Sequence, residues 1–301
     1  VVVVDEASMI PLYAILYLLY SAPHSRFVIA GDPFQIEPIA SVSQWKGENI
    51  YTFVGLNSFT SPVTVPHKYP IHCLPTQYRS LPAIGKLFSD FAYGGVLTHA
   101  RTPTDRRPIN LGDRFQWLKP LNVVTFPVSS YESIYRARRL NGASNYHVYS
   151  ALLSFELLRA LAHDIATYNP HLNQDHPYRI GLISPYRVQA EIVRNLAIHT
   201  GLITTCRSQD VREKTYQSHF SPGINVQVGT VHKFQGDECD IVVALFNPPP
   251  YISDSTEMFL NKLNIVNVSI SRARDNLLLL IPDANTENVG KLIHINTIKK
   301  L

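Results

Sequence analysis

The chain opens with a strand-helix-strand pattern, and this pattern constrains the fold more than any other feature. Residues 1–4 are four valines in a row, and a second short apolar run covers 26–30. Between them, Pro11 precedes the apolar stretch 12–20. Short β-branched runs favour buried strands, and a proline in the first turn favours the start of a helix. The pattern therefore predicts two buried parallel strands that are joined by one helix.

Polar residues follow each of the two predicted strands. Asp5 and Glu6 come directly after the first strand, and Gly31 follows the second strand with Gln35 four residues later. Two acids after a strand most often form a solvated turn. Because parallel strands end at the same edge of a sheet, however, we expect Asp5, Glu6 and Gln35 to share one crevice.

A second alternation of strands and helices covers the rest of the chain. The predicted strands are 122–126, 179–184, 225–229, 240–246 and 276–281, and the predicted helices are 82–93, 143–168, 188–199 and 260–271. Two proline-rich stretches, 60–75 and 98–120, are predicted to be irregular, the second as a crossing between domains. The alternation predicts an α/β protein with mainly parallel sheets.

Composition agrees with a folded protein and leaves the function open. The 301 residues are 45% hydrophobic and 17% charged, with a formal net charge of +4. A mildly basic chain is compatible with a polyanionic partner, although many other enzymes share this charge. The three cysteines form no CxxC pair, which favours a reducing compartment, with the cytoplasm as the default. Prolines interrupt the uncharged stretches before they reach membrane-spanning length.

Six segments resemble, in order, the motifs of superfamily 1 helicases. They are Asp5-Glu6-Ala7-Ser8 (Walker B), 31–38 (third motif), Gln77-Tyr78-Arg79 (hinge), 181–189 (fourth), 228–238 (fifth) and 267–274 (sixth). The hinge, fourth and fifth motifs look most like the 5′-to-3′ branch that contains the nonsense-mediated-decay helicase. The resemblance implies two RecA-like P-loop NTPase lobes, the first truncated at its N-terminus. Residues 1–98 would belong to the first lobe and 99–301 to the second.

The resemblance also implies roles in ATP hydrolysis. Asp5 would hold Mg²⁺, and Glu6 would polarise the attacking water. Gln35 would sense the γ-phosphate. Arg79 and Arg272 would reach the same phosphate as arginine fingers, because a planar guanidinium suits charge that is spread over several oxygens.

Further roles concern the rest of the nucleotide and the nucleic acid. Tyr78 would stack on the adenine. Gly236 would let the backbone approach the phosphates, and Glu238 would accept hydrogen bonds from the ribose. Ser184 and Thr230, which end predicted strands, would contact the backbone of single-stranded DNA or RNA.

The sequence departs from the family at the phosphate-binding loop. Neither Gly85-Lys86 nor Gly290-Lys291 is followed by serine or threonine, and neither has a glycine five residues before its own. Because that loop cradles the phosphates, the 301 residues alone are expected to bind ATP poorly and not to hydrolyse it. The opening valine run without an initiator methionine further indicates an internal start, with a segment upstream.

Simpler interpretations stay open for several residues. Tyr78 is also compatible with a core ring, and Arg274 with a charge on a helix face. Arg136, Arg138 and Arg139 favour a solvated basic face. For His67, His72 and Cys73, the lack of a fourth ligand at a useful spacing argues against zinc, and we predict no structural metal.

Two rival functions remain at the level of the sequence. One is a nucleic-acid-binding or scaffold module that keeps the fold without turnover. The other keeps the ATPase but uses it to remodel protein-nucleic-acid complexes or to serve an attached nuclease. The motifs do not distinguish RNA from DNA, because that choice rests on contacts to the 2′-hydroxyl.

Overall fold

The fold is described from a computed structural model of the chain, for residues 1–39, 42–45, 47–56, 70–128, 137–140, 144–205, 216–251, 254–255, 258–283 and 291–300. The helices are α1 Leu12–Ser21, α2 Ile50–Phe53, α3 Pro82–Ala92, α4 Val148–Tyr168, α5 Arg187–His199, α6 Leu263–Ile270 and α7 Ile293–Lys300. The strands are β1 Val2–Val4, β2 Phe27–Ile29, β3 Thr76–Gln77, β4 Thr98–His99, β5 Leu121–Phe126, β6 Arg138–Arg139, β7 Asn145–Tyr146, β8 Tyr178–Ser184, β9 Ile203–Thr205, β10 Tyr216–Ser218, β11 Ile224–Thr230, β12 Cys239–Leu245 and β13 Ala273–Pro282.

The main sheet has seven strands in the order β5-β13-β12-β8-β11-β10-β9. The first five strands run parallel, and β10 and β9 add an antiparallel edge. From β8 the chain crosses to the edge strand β9 and returns through β10 to β11, whereas β12 lies on the other side of β8 and the chain continues outward from it to β13. In open α/β sheets such a reversal leaves a crevice at the carboxyl ends of the strands. The predicted α/β class with a mainly parallel sheet, as expected of RecA-like lobes, is confirmed.

Helices cover both faces of the main sheet. Successive side chains of a strand point to opposite faces, so Val242 and Ala244 join one core and Ile241 and Val243 join the other. Helices α3, α6 and α7 pack on the first face, and α4 and α5 pack on the second. Because both faces are covered, every residue of β12 is buried. This explains why residues 241–245 form a continuous apolar run rather than an alternating one.

A smaller unit precedes the main sheet. Strands β1 and β2 pair in parallel and α1 joins them, as predicted. The prediction that both strands are buried is wrong for their middle residues, since Val3 is 66% exposed and Val28 is 51% exposed. The small core under α1 covers one face of this pair, while these two side chains point away from it.

The structure contains the predicted helices and strands, but their first and last residues differ from the predicted ones. The long helix begins at Val148 rather than at Ala143, which lies outside the described residues. The side chain of His147 caps it by accepting a hydrogen bond from the Ser150 amide at 3.2 Å. Short elements such as β3, β4, β6 and β7 were not predicted, because two-residue strands carry no measurable periodicity.

Helix α3 packs on the main sheet, with Ile84, Leu87 and Phe88 in the core beneath it. The division of the chain at residue 98 stays a prediction. Of the proline-rich stretch 60–75, residues 60–69 lie outside the described part. Residues 70–75 contain neither helix nor strand. Among the described helices, none is long and apolar enough to cross a membrane.

Candidate active site

The loops after β1 and β2 lie against each other, as the parallel pairing requires. The Ala7 amide donates to the Ala30 carbonyl at 3.0 Å. Glu6 adopts a left-handed backbone with φ 51°, and its amide donates to the Asp5 carboxylate at 2.8 Å. Gly31 has φ 148°, and a Cβ there would lie 2.8 Å from the Ala7 nitrogen. Only glycine permits this close approach, which brings the two loops together.

The charges of three carboxylates act on the hydroxyl of Tyr51. Burial raises the pKa of Tyr51 to about 12, and the negative charges of Asp32, Asp5 and Glu6 act in the same direction. An electrostatic effect of this kind requires that each of the three carboxylates lies near Tyr51. The loops after β1 and β2 therefore carry acidic side chains on the side of Tyr51, and a shared crevice stays a prediction.

The loop after β2 is organised around Asp32. The Asp32 carboxylate accepts hydrogen bonds from the Phe34 amide at 2.9 Å, from the Gln35 side chain at 3.2 Å and from the Tyr93 hydroxyl. Burial and the Asp32 charge raise the pKa of Tyr93 well above its usual range. The Gln35 Oε1 atom is buried without a hydrogen-bond partner. The amide nitrogen of Gln35 is therefore directed to Asp32, and a crevice shared with Asp5 and Glu6 stays a prediction.

Three hydrogen-bonding contacts join the loops after β1 and β2 to segments that pack on the main sheet. The Gln235 side chain donates to the Glu6 carboxylate at 3.1 Å, and Lys262 pairs with Glu37 at 2.6 Å. The Asn267 side chain donates to the Phe34 carbonyl at 3.0 Å. These contacts place the carboxylate of Glu6 at the interface between the small unit and the main sheet.

Arg272 lies in the same interface and is almost completely enclosed. The residue is 2% exposed, its Nη2 atom donates to the Ser271 hydroxyl at 3.1 Å, and its Nε atom has no hydrogen-bond partner. Burial lowers the pKa of the guanidinium to about 10. The charge of Arg79 adds to this effect, and Tyr93, Glu6 and Asp32 oppose it. Arg272 is thus a buried cation near acids that it does not hydrogen-bond.

Arg79 and Glu238 contact each other rather than the carboxylate cluster. Arg79 Nε donates to the Glu238 carboxylate at 3.0 Å, and Arg274 donates to the other oxygen of Glu238 at 2.5 Å. Burial acts to raise the pKa of Glu238, but the hydrogen bonds and charges of the two arginines outweigh it and the pKa is lowered. Arg79 also donates to the Ser271 carbonyl at 3.2 Å, which keeps it beside Arg272.

The hinge and the fifth motif place two further predicted residues on the surface. The Tyr78 ring is 74% exposed, so the alternative of a core ring is wrong. Gly236 has φ 82°, and no atom lies within 4 Å of the position of a Cβ. The space is open there, and the backbone conformation is one that favours glycine.

The two residues predicted to contact nucleic acid differ in access. Ser184 is fully buried, where its hydroxyl contacts Asn247 at 3.3 Å and accepts from the Tyr186 amide at 3.2 Å. Thr230 is half-buried in a groove of about 320 Å³, whose cationic lining comes from Arg187, Arg194 and Lys233. Of these two residues, only Thr230 is accessible to a nucleic acid in the described structure.

The remaining candidates are dispersed. Arg138 and Arg139 are exposed in the short β6–β7 pair, whereas Arg136 and His67 lie outside the described residues. His72 and Cys73 are exposed. No group of three or more potential metal ligands occurs among the described His, Cys, Asp and Glu side chains.

The sequence interpretation assigned no role to three residues that the structure brings into the site. Gln235 and Asn267 are inside the quoted fifth and sixth motifs, but no specific role was given to their amides. Asp32 lies inside the third motif, in which only Gln35 was given a role. The signal was their position inside the quoted motifs, and the partners of Gln235 and Asn267 come from distant parts of the chain.

Comparisons with known proteins agree with the motif order. A family model described as AAA domain matches residues 58–283. The mouse 5′-3′ DNA helicase ZGRF1 is 26% identical over 93% of this chain and 12% of its own length. The Arabidopsis thaliana DNA replication ATP-dependent helicase/nuclease JHS1 is 23% identical over 100% of this chain and 20% of its own length. The Schizosaccharomyces pombe helicase Sen1 is 25% identical over 93% of this chain and 14% of its own length.

The chain therefore spans a fifth or less of the length of these relatives. Among solved structures, the PRRSV helicase is similar with a TM-score of 0.40 at 12% identity, covering 95% of this chain and 35% of that one. The family model covers more than half of the 301 residues. With six motifs in the family's order, the chain belongs to the AAA domain family of superfamily 1 DNA/RNA helicases, in the branch of the nonsense-mediated-decay helicase.

Proposed function

We propose that this chain is the motor part of an ATP-dependent helicase or translocase that acts on single-stranded nucleic acid. ATP would be hydrolysed between two RecA-like lobes, 1–98 and 99–301. One observation carries the proposal: the Glu6 carboxylate accepts a 3.1 Å hydrogen bond from Gln235 across the interface, and its charge acts on the buried guanidinium of Arg272. A carboxylate from one side and a cation from the other are what hydrolysis of a polyphosphate requires.

The state of Arg272 fits a triphosphate. A buried guanidinium whose Nε has no hydrogen-bond partner lowers the stability of the folded protein unless an anion binds it. Its planar donors match phosphate oxygens, and low solvent access strengthens that contact. Arg272 is accordingly the residue that we assign to the charge developing on the γ-phosphate.

The acidic crevice fits Mg²⁺, which prefers one or two carboxylates together with phosphates and water. Asp5 is exposed and would supply one such oxygen. When bound, the ion would neutralise charge on the phosphates. Glu6, already held at the interface by Gln235, would orient and polarise the attacking water, with Gln35 beside it as the sensor of the γ-phosphate.

Arg79 and Glu238 would exchange partners when nucleotide binds. Glu238 accepts two arginines in the described structure, so contact with the ribose hydroxyls requires it to release at least one of them. Arg79 would then be free to turn toward the phosphate. The ring of Tyr78 is exposed and would stack on the adenine, and the open side of Gly236 would let the backbone approach the phosphates.

Single-stranded DNA or RNA would lie over the carboxyl ends of the main sheet. The groove beside Thr230 is lined by Arg187, Arg194 and Lys233, which suit contacts to a phosphate backbone without reading sequence. Ser184 would reach the strand only after a local rearrangement. Closure of the lobes on ATP and opening after hydrolysis would move the strand.

The free thiols of Cys73 and Cys239 agree with a cytoplasmic location.

The decisive measurement is Mg²⁺-dependent ATP hydrolysis by the full-length protein that contains this chain, with and without single-stranded DNA or RNA. Glu6→Gln should lower kcat by about 100- to 10,000-fold, because the group that activates water is lost. Glu48→Gln is the matched control. Glu48 is an exposed carboxylate of the same unit whose contact is to Thr52, and its substitution should leave kcat unchanged.

Strand-stimulated turnover that Glu6→Gln abolishes would support the motor. A folded wild-type protein without turnover would favour the scaffold alternative. Turnover that survives Glu6→Gln would show that the assigned carboxylate is wrong.

A further inference from the structure

Arg101 lies in the arginine- and proline-rich crossing and outside all six motifs, yet it makes a dense set of contacts. Its Nη1 atom donates to the Arg79 carbonyl at 2.6 Å and to the Arg274 carbonyl at 3.1 Å. Its Nη2 atom donates to the Asp105 carbonyl at 2.5 Å and to the Asp275 carboxylate at 2.6 Å. One guanidinium therefore joins four acceptors from three segments of the chain.

The carboxylate of Asp275 holds Arg101 in place. The Asp275 side chain is 1% exposed and that of Arg101 is 12% exposed, so the ion pair is shielded from water. The second Asp275 oxygen accepts from the Arg107 amide at 3.0 Å. A buried pair whose remaining oxygens are satisfied has one favoured geometry, because any displacement leaves charged groups without partners.

Arg101 and Glu238 both hydrogen-bond Arg79 and Arg274, but they contact different parts of the two residues. Glu238 binds the side chains of Arg79 and Arg274, while Arg101 binds their backbone carbonyls. Nucleotide binding would affect these two sets of hydrogen bonds differently. Glu238 has to release an arginine in order to reach a ribose, whereas Arg101 lies on the backbone side and has no such conflict.

We propose that Arg101, fixed by Asp275, is a positioning residue that keeps the backbone of Arg79 in place when its side chain leaves Glu238 for the phosphate. The proposal rests on the function proposed above, in which Arg79 contacts the γ-phosphate. A second support comes from the Gln77 side chain, which accepts from the Arg79 amide at 3.0 Å. Because the amide and the carbonyl of Arg79 are both hydrogen-bonded, its side chain can rotate while its backbone stays in place.

The geometry also explains why the residue is an arginine. Two carbonyls and a carboxylate have to be reached at once from one planar group, and the fork of a guanidinium presents donors in those fixed directions. A lysine at this position would keep the charge opposite Asp275 but would concentrate its donors at one point. We therefore expect Arg101→Lys to preserve the ion pair and to lose part of the hold on the two carbonyls.

The test compares kcat and KM for ATP in the full-length wild-type protein and in the variants Arg101→Ala and Arg101→Lys, at saturating single-stranded DNA or RNA. Misplacing a reacting group by about 1 Å costs on the order of 100-fold in rate. We expect kcat to fall by about 10- to 100-fold in Arg101→Ala, with a smaller fall in Arg101→Lys. KM should change by less than about threefold, since most of the ATP contacts lie elsewhere.

Arg114→Ala is the matched control. Arg114 also pairs with a buried carboxylate, Asp164, at 3.6 Å, but it contacts neither Arg79 nor Arg274. This variant should keep the wild-type kcat. Thermal unfolding of each variant, measured in parallel, separates loss of folded protein from loss of rate.

A double variant distinguishes positioning from a general structural role. If Arg101 acts through Arg79, Arg101→Ala combined with Arg79→Ala should turn over no more slowly than Arg79→Ala alone. Binding of a fluorescent, non-hydrolysable ATP analogue should likewise show no additional loss in the double variant.

Multiplicative losses in the double variant, or an Arg101→Ala protein with the wild-type kcat, would overturn the positioning role while leaving the motor intact. A folded wild-type protein without any turnover would instead overturn the function on which this role rests.

Discussion

Replacing Arg272 with methionine should make the protein more stable and inactive. Arg272 is 2% exposed, its Nε atom has no hydrogen-bond partner, and no carboxylate of the described residues accepts a hydrogen bond from it. Methionine has a similar length and no charge to desolvate. Buried ionic groups that are replaced by apolar residues of similar volume often leave a protein equally or more stable.

The size of the effect follows from the pKa. Burial, aided by the charge of Arg79, lowers the pKa of Arg272 to about 10. Each tenfold change in an acid constant corresponds to about 1.4 kcal/mol, so the charged side chain costs the folded state about 3 kcal/mol. Because the pKa is lowered, this cost is fully present at pH 7 and fades only as the pH rises through 10. We expect Arg272→Met to raise the free energy of unfolding by about 1–3 kcal/mol at pH 7.

The assay is urea unfolding of the full-length protein with and without a non-hydrolysable ATP analogue. Without nucleotide, Arg272→Met should unfold at higher urea than the wild type. An analogue at 100 times its Kd stabilises a protein by about 2.7 kcal/mol. At that same concentration the gain should be much smaller in the variant, since a phosphate partner of Arg272 is missing. Arg159→Met, in an exposed pair with Glu156, is the control and should change stability by less than about 0.5 kcal/mol.

Two results would refute the reasoning. Destabilisation by Arg272→Met of several kcal/mol would mean that the guanidinium is well compensated inside the protein and that burial is not its main cost. Equal stabilisation of variant and wild type by the nucleotide analogue would mean that Arg272 does not contact the phosphates.

Two further predictions concern the loops and the hinge. Gly31→Ala should lower the free energy of unfolding by about 1–3 kcal/mol in urea titrations, because the new Cβ would lie 2.8 Å from the Ala7 nitrogen and 2.9 Å from the Tyr51 hydroxyl; an unchanged midpoint would contradict the close packing of these loops. Glu238 has a lowered pKa, so its contribution to stability is present at neutral pH and is lost as the pH falls through its folded pKa. Glu238→Gln should therefore make the thermal midpoint less dependent on pH below about pH 5, and a dependence equal to that of the wild type would show that the pair with Arg79 contributes little.

Much of the fold followed from local patterns in the sequence. Strand β12 was predictable because both of its faces are covered, which favours the unbroken apolar run 241–245. The start of α4 was not, because it depends on the side chain of His147 capping the helix. The exposure of Val3 and Val28 was also missed, since burial of a strand depends on which neighbours cover its faces.

For the candidate site, the sequence by itself determined which chemical groups are present and in what order. It placed Asp5 and Glu6 after the same strand and predicted that Gln35 would share their crevice, because the pairing of parallel strands fixes where their ends lie. The tertiary structure alone decided the partners across the interface. Gln235 reaches Glu6 from 229 residues away, and Arg101 reaches Arg274 from 173 residues away. Contacts at such separations arise from how whole layers pack against one another, and local periodicity carries no information about them.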